Sequence, residues 1–459
     1  MIKLYNTLSR KKEELKPIVD GEVGLYTCGP TVYDYAHLGN LRAFYFYDIL
    51  KRVLKYNGYK VKHIMNITDV GHLTGDMDMG EDKLEKGAKR EGKTAWDVAK
   101  FFEEAFLNDL KRLNILEPSK WTHATKYIQE QIDLIKILEE KGYIYITSDG
   151  VYYDTSKFKD YNKLSHLDLE TLEEGARVEK NAEKKNATDF ALWKFSPESS
   201  KRDMEWESPW GVGFPGWHIE CSAMSKSELD EQLDIHCGGA DHINVHHTNE
   251  IAQSEAAFEK PFFNYWMHNA FLNIVGGKKM SKSSGDFLTL QNTFVDKNIN
   301  PLVYRFASLQ THFRKPMEYS EEAMLNAKKG FERLQNKVRE LGNEQGEIVE
   351  EYKNKFLNAI NDDLNTAQAL AVMQEVLKSD NASADKLATV IDFDKVFGLD
   401  LNTLGKIKDL PTDIEKLKVD RIKAREEKNW EESDRLRDEI EALGYIVKDS
   451  QEGMSILKK

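Results

Sequence analysis

Residues 22–66 read EVGLYTCGPTVYDYAHLGNLRAFYFYDILKRVLKYNGYKVKHIMN, and this stretch decides the fold. Glu22 to Thr27 is short, partly apolar and rich in β-prone residues, so it reads as a strand. Cys28-Gly29-Pro30 breaks it. From Leu38 onward, Leu41, Phe44, Tyr45, Asp48, Ile49, Arg52, Val53 and Tyr56 recur three or four residues apart, which predicts a helix with one mainly apolar face. Gly58 is placed to end it. Val61 to Ile67 is a second strand. A strand, a helix and a strand in so short a span imply a parallel pair and an α/β domain of nucleotide-binding type.

Working outward, residues 94–141 read as mainly helical with a break near Pro118. Residues 144–195 carry short aromatic-rich strands (Tyr143 to Ile146, Val151 to Tyr153) around a charged middle, the pattern of an insertion. Asp234 to His236 and Ala270 to Val275 read as further strands, and Ile243 to Phe258 as a helix. From Glu321 to about Lys395 the pattern is helical and rich in Ala, Leu, Glu and Lys. A linker at Leu401 to Pro411 leads to a charged helical stretch, Val419 to Leu443, and a closing hairpin. The expected fold class is α/β: a doubly wound Rossmann-type catalytic domain (1–120 and 205–275) split by an α+β insertion (121–204). A basic-loop region (276–320), a helical bundle (321–400) and a small C-terminal domain (401–459) follow.

The bulk numbers agree with a multidomain soluble protein. The chain has 459 residues, 40% hydrophobic and 31% charged; a length prior suggests about three domains. No stretch approaches the roughly 18 apolar residues of a membrane span, and Met1 to Pro17 has no secretory h-region. A cytoplasmic location and no membrane partner are expected. The net charge of -13 argues against a broadly basic surface but leaves room for a local RNA groove. Three cysteines, Cys28, Cys221 and Cys237, exclude a disulfide framework.

Three constellations carry chemistry. The first is Pro30 to Asn40, between the first strand and its helix, where helix N–H groups and dipole favour phosphate. Gly39 lets a flat base approach, and His37 and Asn40 offer donors; equally, His37 and Asn40 could simply cap the helix. The second is GGKKMSKSSG at 276–285. Lys279 and Lys282 there could stabilise a triphosphate attacked at its α-phosphorus, or form a solvated surface cluster. The third is a metal candidate. Cys28 closes the first strand, Cys221 lies in GWHIECSAM at 216–224, and His246 and Glu250, four apart, share a helix face. Two thiolates, an imidazole and a carboxylate are an acceptable zinc set; on spacing alone they could as well be unrelated buried thiols and a surface pair.

The pairing of HLGN at 37–40 with KMSKS at 279–283 resembles the double signature of class I aminoacyl-tRNA synthetases, with Asn40 closing the first motif. CGPT at 28–31, NITD at 66–69, GWHIECSAM at 216–224 and the stretch from Asp234 to Glu255 resemble the cysteinyl-tRNA synthetases, and the likeness covers nearly the whole chain. It implies ATP-dependent activation of L-cysteine and its transfer to tRNA(Cys), with His37, Asn40, Lys279 and Lys282 stabilising the phosphates. It implies ATP contacts at Gly39, Gly239 and Asp241, amino-acid contacts at Gly29, Thr68, Trp217 and His236, and one Zn2+ on Cys28, Cys221, His246 and Glu250. Mg2+ is expected to accompany the ATP, and the chain to act as a monomer. Four protein ligands usually mark a closed structural site, so the substrate thiolate is expected to add a fifth ligand or to loosen Glu250, the ligand taken as labile.

Where the family pattern has Gly at 237 and an apolar residue at 242, this chain has Cys237 and His242, which add metal-capable groups nearby. Gly211 to Gly216 matches G-x-G-x-x-G but lacks the preceding strand a dinucleotide site needs. Val419 to Leu443 offers Arg421, Lys423, Arg425, Lys428, Arg435 and Arg437 with Trp430. The set suits single-stranded RNA, or a charged amphipathic helix with Trp430 in its core.

Overall fold

The computed structural model describes residues 1–71, 73–75, 79–166, 183–197, 202–274, 278–279, 287–403, 411–450 and 453–458. After an antiparallel pair, Lys3–Asn6 with Lys11–Glu14, the central sheet starts with strand β1 (Glu22–Thr27), helix α1 (Leu38–Tyr56) and strand β2 (Lys60–Ile67). Three more strands join them: β3 (Lys120–His123), β4 (Leu233–Gly239) and β5 (Phe263–Asn269). The order is β5-β4-β1-β2-β3 and every neighbouring pair is parallel. The chain builds outward from β1 through β2 to β3, then returns to place β4 on the other side of β1. This reversal makes the gap between β1 and β4 a topological switch point, and ligands bind outside the carboxyl ends of the strands there.

Two sheet strands escape the sequence reading. β3 is only Lys120-Trp121-Thr122-His123, too short for an alternation to register. β5 lies just before the stretch expected to be a strand; Leu272–Ile274, which falls inside that stretch, belongs to another small sheet.

The helix α1 differs from the one-faced amphipathic helix its periodicity predicts. Fourteen of its residues are buried, including Arg42, Asp48, Lys51 and Arg52. Polar groups enclosed this way must be paired. Asp48 accepts from Arg52 Nε at 2.8 Å, from the Leu116 amide at 2.9 Å and from Arg305 of the helix Leu302–Leu309. Arg42 Nη2 donates to the Lys315 carbonyl at 2.7 Å. Tyr304 donates to the Leu38 carbonyl at 2.6 Å, so α1 is clamped close to its first turn.

Three strands of the expected insertion, Ile144–Thr147, Gly150–Tyr153 and Phe190–Phe195, form an antiparallel sheet with Gly213–Pro215, which lies beyond the expected boundary at 204. The glycine run at 211–216 serves this sheet. A Cβ on Gly216 would lie 1.9 Å from the Ala191 carbonyl oxygen, so the residue is there for close strand approach. Helices α2 (Trp217–Glu228) and α3 (His246–Phe258) pack against each other.

The chain divides into two units, Met1–Ala327 with Asn358–Gln368, and Lys328–Leu357 with Ala369–Lys459. In the second, Phe356 stacks on Phe393 with ring centroids 4.0 Å apart. Two helices, Thr412–Glu426 and Trp430–Ala442, and the hairpin Tyr445–Ser450/Gly453–Lys458 enclose Ile414, Ile440, Val447 and Ile456. Arg421, a cation the sequence offers to RNA, is instead buried: it donates to both oxygens of Asp449, at 2.9 and 3.0 Å, and to the Ser433 carbonyl. Trp430 is not in that core; it is 58% exposed.

Candidate active site

A cavity of about 390 Å³ opens at the carboxyl ends of β1, β2 and β4. The sequence-expected residues Cys28, Gly29, His37, Gly39, Asn40, Thr68, Trp217, Cys221, Gly239, Asp241 and His246 all line it. The backbone of Lys279 pairs with Asn273 in a short antiparallel contact; Lys282 lies outside the described residues.

The first turn of α1 forms one wall. His37 is the N-cap residue: its Nδ1 accepts from the Asn40 amide at 3.0 Å, and Asn40 Oδ1 accepts from the His37 amide at 3.2 Å, a reciprocal capping box. An accepting Nδ1 puts the proton of the neutral ring on Nε2. The Leu38 amide donates to Leu288 at 2.8 Å and the Leu41 amide to His37. Among the described residues this leaves the Gly39 amide as the first-turn donor open to an anion. Capping occupies His37 Nδ1 and Asn40, and leaves the Gly39 amide and the His37 Nε2–H as the donors of this turn.

The loops leaving β1 and β2 are sewn together beneath this turn. The Thr68 amide donates to the Pro30 carbonyl at 3.0 Å. The Gly29 amide donates to Asn66 Oδ1 at 2.7 Å, and a Cβ at position 29 would fall 1.5 Å from the Asn66 carbonyl oxygen. Thr68 donates its hydroxyl proton to Glu220 Oε2 at 3.0 Å and accepts from Asn66 Nδ2 at 3.1 Å. Thr68 thus lines the cavity with its hydroxyl hydrogen bonds already committed to Glu220 and Asn66.

The floor is a dense cluster of metal-capable groups. Donor atoms of Cys28, Cys221, His246 and Glu250 lie within 4.8 Å of one another, all buried; so do those of Cys28, His236, His247 and Glu250. The two sets share Cys28 and Glu250. The first set borders the cavity through three of its four members. In the second, only Cys28 does; His236, His247 and Glu250 are fully buried behind it. His236, expected to hold the amino acid, is therefore outside the cavity lining. Its Nε2 lies 2.9 Å from Glu250 Oε2.

Glu250 carries the clearest sign of a missing partner. Its Oε1 is buried without a hydrogen bond, although His246 Nε2 lies 3.0 Å away. The two atoms are close but misaligned for donation, as expected of groups that converge on a common third point. Burial pushes the Cys28 thiol well above its usual range and raises the Glu250 carboxyl. Burial also keeps His247 neutral by pushing its pKa well down. A site that disfavours lone thiolates and carboxylate, yet gathers two thiols, a carboxyl and an imidazole, fits a divalent cation that would deprotonate the thiols on binding. Two thiols and one imidazole are donors suited to zinc.

Further residues support the floor. Trp217 stacks on His246, with ring centroids 4.1 Å apart at 24°. His218 Nδ1 lies 3.0 Å from His246 Nδ1. A chain of rings runs from Cys28 Sγ to His247 Nε2 (3.3 Å), from His247 Nδ1 to His268 Nε2 (2.8 Å) and from His268 Nδ1 to Thr7 Oγ1 (2.8 Å). Gly238 permits this crowding, since a Cβ there would lie 2.5 Å from the His247 ring. Cys237 and His242, the extra metal-capable groups, belong to neither four-donor set. Sequence reasoning missed His218, His247, His268 and Glu220. The available signal was composition: six of the chain's twelve histidines fall between 218 and 268.

Comparison with known proteins agrees with this architecture. The family model for the tRNA synthetases class I (C) catalytic domain matches residues 14–329. The DALR domain matches 355–403 and the cysteinyl-tRNA ligase anticodon binding domain 408–454. The chain is 48% identical over 455 residues to cysteine–tRNA ligase 1 of Burkholderia lata, covering 99% of this chain and 96% of that one. It is 44% identical over 492 residues to cysteine–tRNA ligase of Treponema denticola, covering 100% and 99%. Among solved structures, the LeuRS–tRNA–LeuAMS ternary complex of Agrobacterium radiobacter K84 superposes with a TM-score of 0.60 at 11% identity, over 85% of each chain. Mycobacterium tuberculosis methionyl-tRNA synthetase bound by methionyl-adenylate gives 0.55 at 14%, over 82% of this chain and 90% of that one. These last two likenesses bear on the fold alone, but the first two relatives match from end to end, and the chain belongs to the cysteine–tRNA ligase family of class I tRNA synthetases.

Proposed function

We propose that this chain joins L-cysteine to tRNA(Cys) in two steps, and that it selects cysteine through a zinc ion held by Cys28, Cys221, His246 and Glu250. In the first step a carboxylate oxygen of cysteine attacks the α-phosphorus of ATP. The bond to the bridging oxygen breaks and pyrophosphate leaves. In the second step a hydroxyl of the terminal tRNA ribose attacks the adenylate carbonyl, AMP departs and the hydroxyl proton is lost. The adenylate is already activated, so no dedicated general base is invoked.

The observation that carries the reading is the meeting, in one cavity at the switch point, of a helix N-terminus suited to phosphate and a two-thiol metal set. The His37 Nε2–H and the Gly39 amide are the donors for ATP phosphates on the α1 wall, and Asn40 orients His37 through the capping box. Lys279 and Lys282 are expected to meet the same charge, with Mg2+ carried in on the nucleotide. Gly239 and Asp241 at the end of β4 suit the ribose and adenine. Gly29, Thr68 and Trp217 enclose the amino acid.

The set that borders the cavity is favoured over its inner neighbour because a substrate sulfur entering from the cavity meets Cys28, Cys221 and His246 first. When bound, zinc supplies a thiophilic centre that a cysteine thiolate matches and a serine hydroxyl does not. Glu250, taken from the sequence as the labile ligand, is fully buried and its Oε2 lies 2.9 Å from His236 Nε2, which holds it in place. Glu250 would therefore stay with Cys28, Cys221 and His246 in holding the zinc as the substrate sulfur approaches. His236 is a positioning residue for Glu250.

ATP–pyrophosphate exchange, measured with cysteine and with serine before and after zinc chelation, tests the proposal. Exchange that requires cysteine and vanishes with the metal is expected. Equal exchange with serine, or full activity in metal-free protein, would overturn it. A rival ligase joining cysteine to a small amine would have no use for the anticodon-binding domain matched at 408–454.

A further inference from the structure

Among the described residues, four aromatic side chains stand exposed: Tyr35, Trp96, Phe101 and Trp430. Two of them touch each other at the rim of the active-site cavity. Tyr35, on the loop leaving β1, meets Phe101 of the helix Ala95–Arg112 edge to face, with centroids 6.0 Å apart; each ring is 42% exposed. Both pack on Phe102, at 5.1 Å in each case, and Tyr35 and Phe102 line the cavity. Lys93 Nζ stands 5.2 Å from the Phe101 centroid. Exposing two large rings is costly, at about 25 cal/mol per Å² of apolar surface, and neither ring is needed to close the cavity floor.

The sheet order says which end of the cavity this is. Phe106, one turn beyond Phe102 and also in the lining, contacts Trp121 of β3. The aromatic rim therefore lies on the β1-β2-β3 side of the switch point. Gly239 and Asp241, suited to the ATP ribose and adenine, lie at the end of β4 on the other side. The second reaction step requires a second nucleotide, the terminal one of tRNA, to put its ribose hydroxyl into the same cavity without displacing the adenylate.

We propose that Tyr35 and Phe101, with Lys93 beside them, form the stacking platform for the unpaired 3′-terminal adenosine of tRNA during acyl transfer. Exposed rings with a neighbouring ammonium suit a splayed base, which offers a π face to the aromatics, and its phosphate, which meets the cation. The inference rests on the aminoacylation reading above.

The test is a cycle of binding measurements. Affinities of full-length tRNA(Cys) and of the same RNA lacking its terminal adenosine are measured for the parent enzyme and for the Tyr35→Ala/Phe101→Ala double variant. Stacking of one base on aromatic side chains corresponds to roughly 5- to 150-fold in affinity. The parent should lose about that factor on truncation, and the double variant should bind both RNAs alike. Single-turnover transfer from preformed cysteinyl-adenylate should fall in the double variant and be retained in Tyr35→Phe, which keeps the ring. Cysteine-dependent pyrophosphate exchange reports whether the double variant remains folded and able to form adenylate, and should persist. Truncation that weakens both proteins by the same factor, transfer that is unchanged, or exchange lost together with transfer would each overturn the platform. A parent enzyme that exchanges pyrophosphate but never charges tRNA(Cys) would instead overturn the functional reading beneath it.

Discussion

The two overlapping four-donor sets make opposite predictions for substitution, and the ranking of zinc affinities separates them. If zinc is held by Cys28, Cys221, His246 and Glu250, then Cys221→Ser replaces one of four ligands by a poorly ionised hydroxyl. Structural zinc binding of about 10–16 kcal/mol shared among four ligands is roughly 3 kcal/mol each, or about 100-fold in affinity. His236 is then a supporting residue. Its Nε2 lies 2.9 Å from Glu250 Oε2, with both side chains fully buried. His236→Ala strips that oxygen of its partner and should cost about 10- to 100-fold. His236→Gln, whose amide can reach the same oxygen, should recover most of the loss. His247→Gln, which disturbs the 3.3 Å contact to Cys28 Sγ, should cost no more than about 10-fold. The inner set reverses the order: His236→Gln and His247→Gln would each lose a direct ligand, and Cys221→Ser would be tolerated. Competition with a chromophoric chelator gives the affinities, and metal content after dialysis gives the stoichiometry. A Cys221→Ser protein that retains one tightly bound zinc per chain would refute the assignment.

Other perturbations test the frame around the site. Gly29→Ala places a Cβ 1.5 Å from a backbone oxygen; the β1 and β2 exit loops must part, so pyrophosphate exchange should be lost and the thermal midpoint should fall. Unchanged exchange would contradict the close approach. Asp48→Asn breaks a buried charge cluster and should destabilise the catalytic unit by about 3–5 kcal/mol in urea denaturation. Burial raises the Asp48 carboxyl, but Arg305, Arg52 and the Leu116 amide outweigh it and hold it below its ordinary value. A depressed folded pKa means the stabilisation is full above the unfolded value of about 3.9 and is lost as pH falls through the folded pKa. The gap between parent and variant should therefore be constant from neutral pH to about 5 and narrow in stronger acid. Arg421→Ala removes the buried fork to Asp449 and should loosen the C-terminal domain by roughly 1–3 kcal/mol, the partner being partly exposed. Charging of tRNA should drop while cysteine-dependent exchange, carried by the other unit, stays intact.

Much of this was legible in the amino-acid sequence because the signals are local. The β1–α1–β2 unit follows from apolar spacing and a Cys-Gly-Pro break, and His37, Asn40 and Gly39 sit where any strand-to-helix turn presents phosphate donors. Periodicity alone could not show that α1 is buried nearly all round: it set Asp48 and Arg52 on the mainly apolar face without showing what would pair them, and the partners, Arg305 and carbonyls far along the chain, appear only in the fold. Nor could it find β3, whose four residues become a strand only because β2 offers an edge. The metal quartet was assembled from residues far apart in sequence on resemblance, and spacing by itself left it undecided; only the fold shows that an oxygen of Glu250 is buried beside His246 without a hydrogen bond. His247 and His268 were invisible for the same reason, because a ring-to-ring chain has no sequence period. Arg421 shows the converse failure: composition offered it to RNA, and its burial against Asp449 withdraws it.

The placement of the metal set also bears on how cysteine and serine are told apart. The two amino acids differ in one atom, and packing a pocket around one small group yields about 10- to 200-fold at best. The walls described here add little to that. Thr68 already donates its hydroxyl hydrogen bond to Glu220, Trp217 stacks on His246, and Gly29 contributes backbone whose amide donates to Asn66. None of these groups distinguishes sulfur from oxygen strongly. The floor would, if Cys28, Cys221 and His246 hold the proposed zinc beside the cavity, because a thiophilic ion favours sulfur over oxygen. The buried histidines behind it, His236 beside Glu250 and His247 beside Cys28, would then fix the orientation of two of the proposed ligands. Selectivity in this arrangement depends on the rigidity of groups that do not touch the amino acid, so substitutions there should change the cysteine-to-serine ratio in exchange more than they change the affinity for ATP.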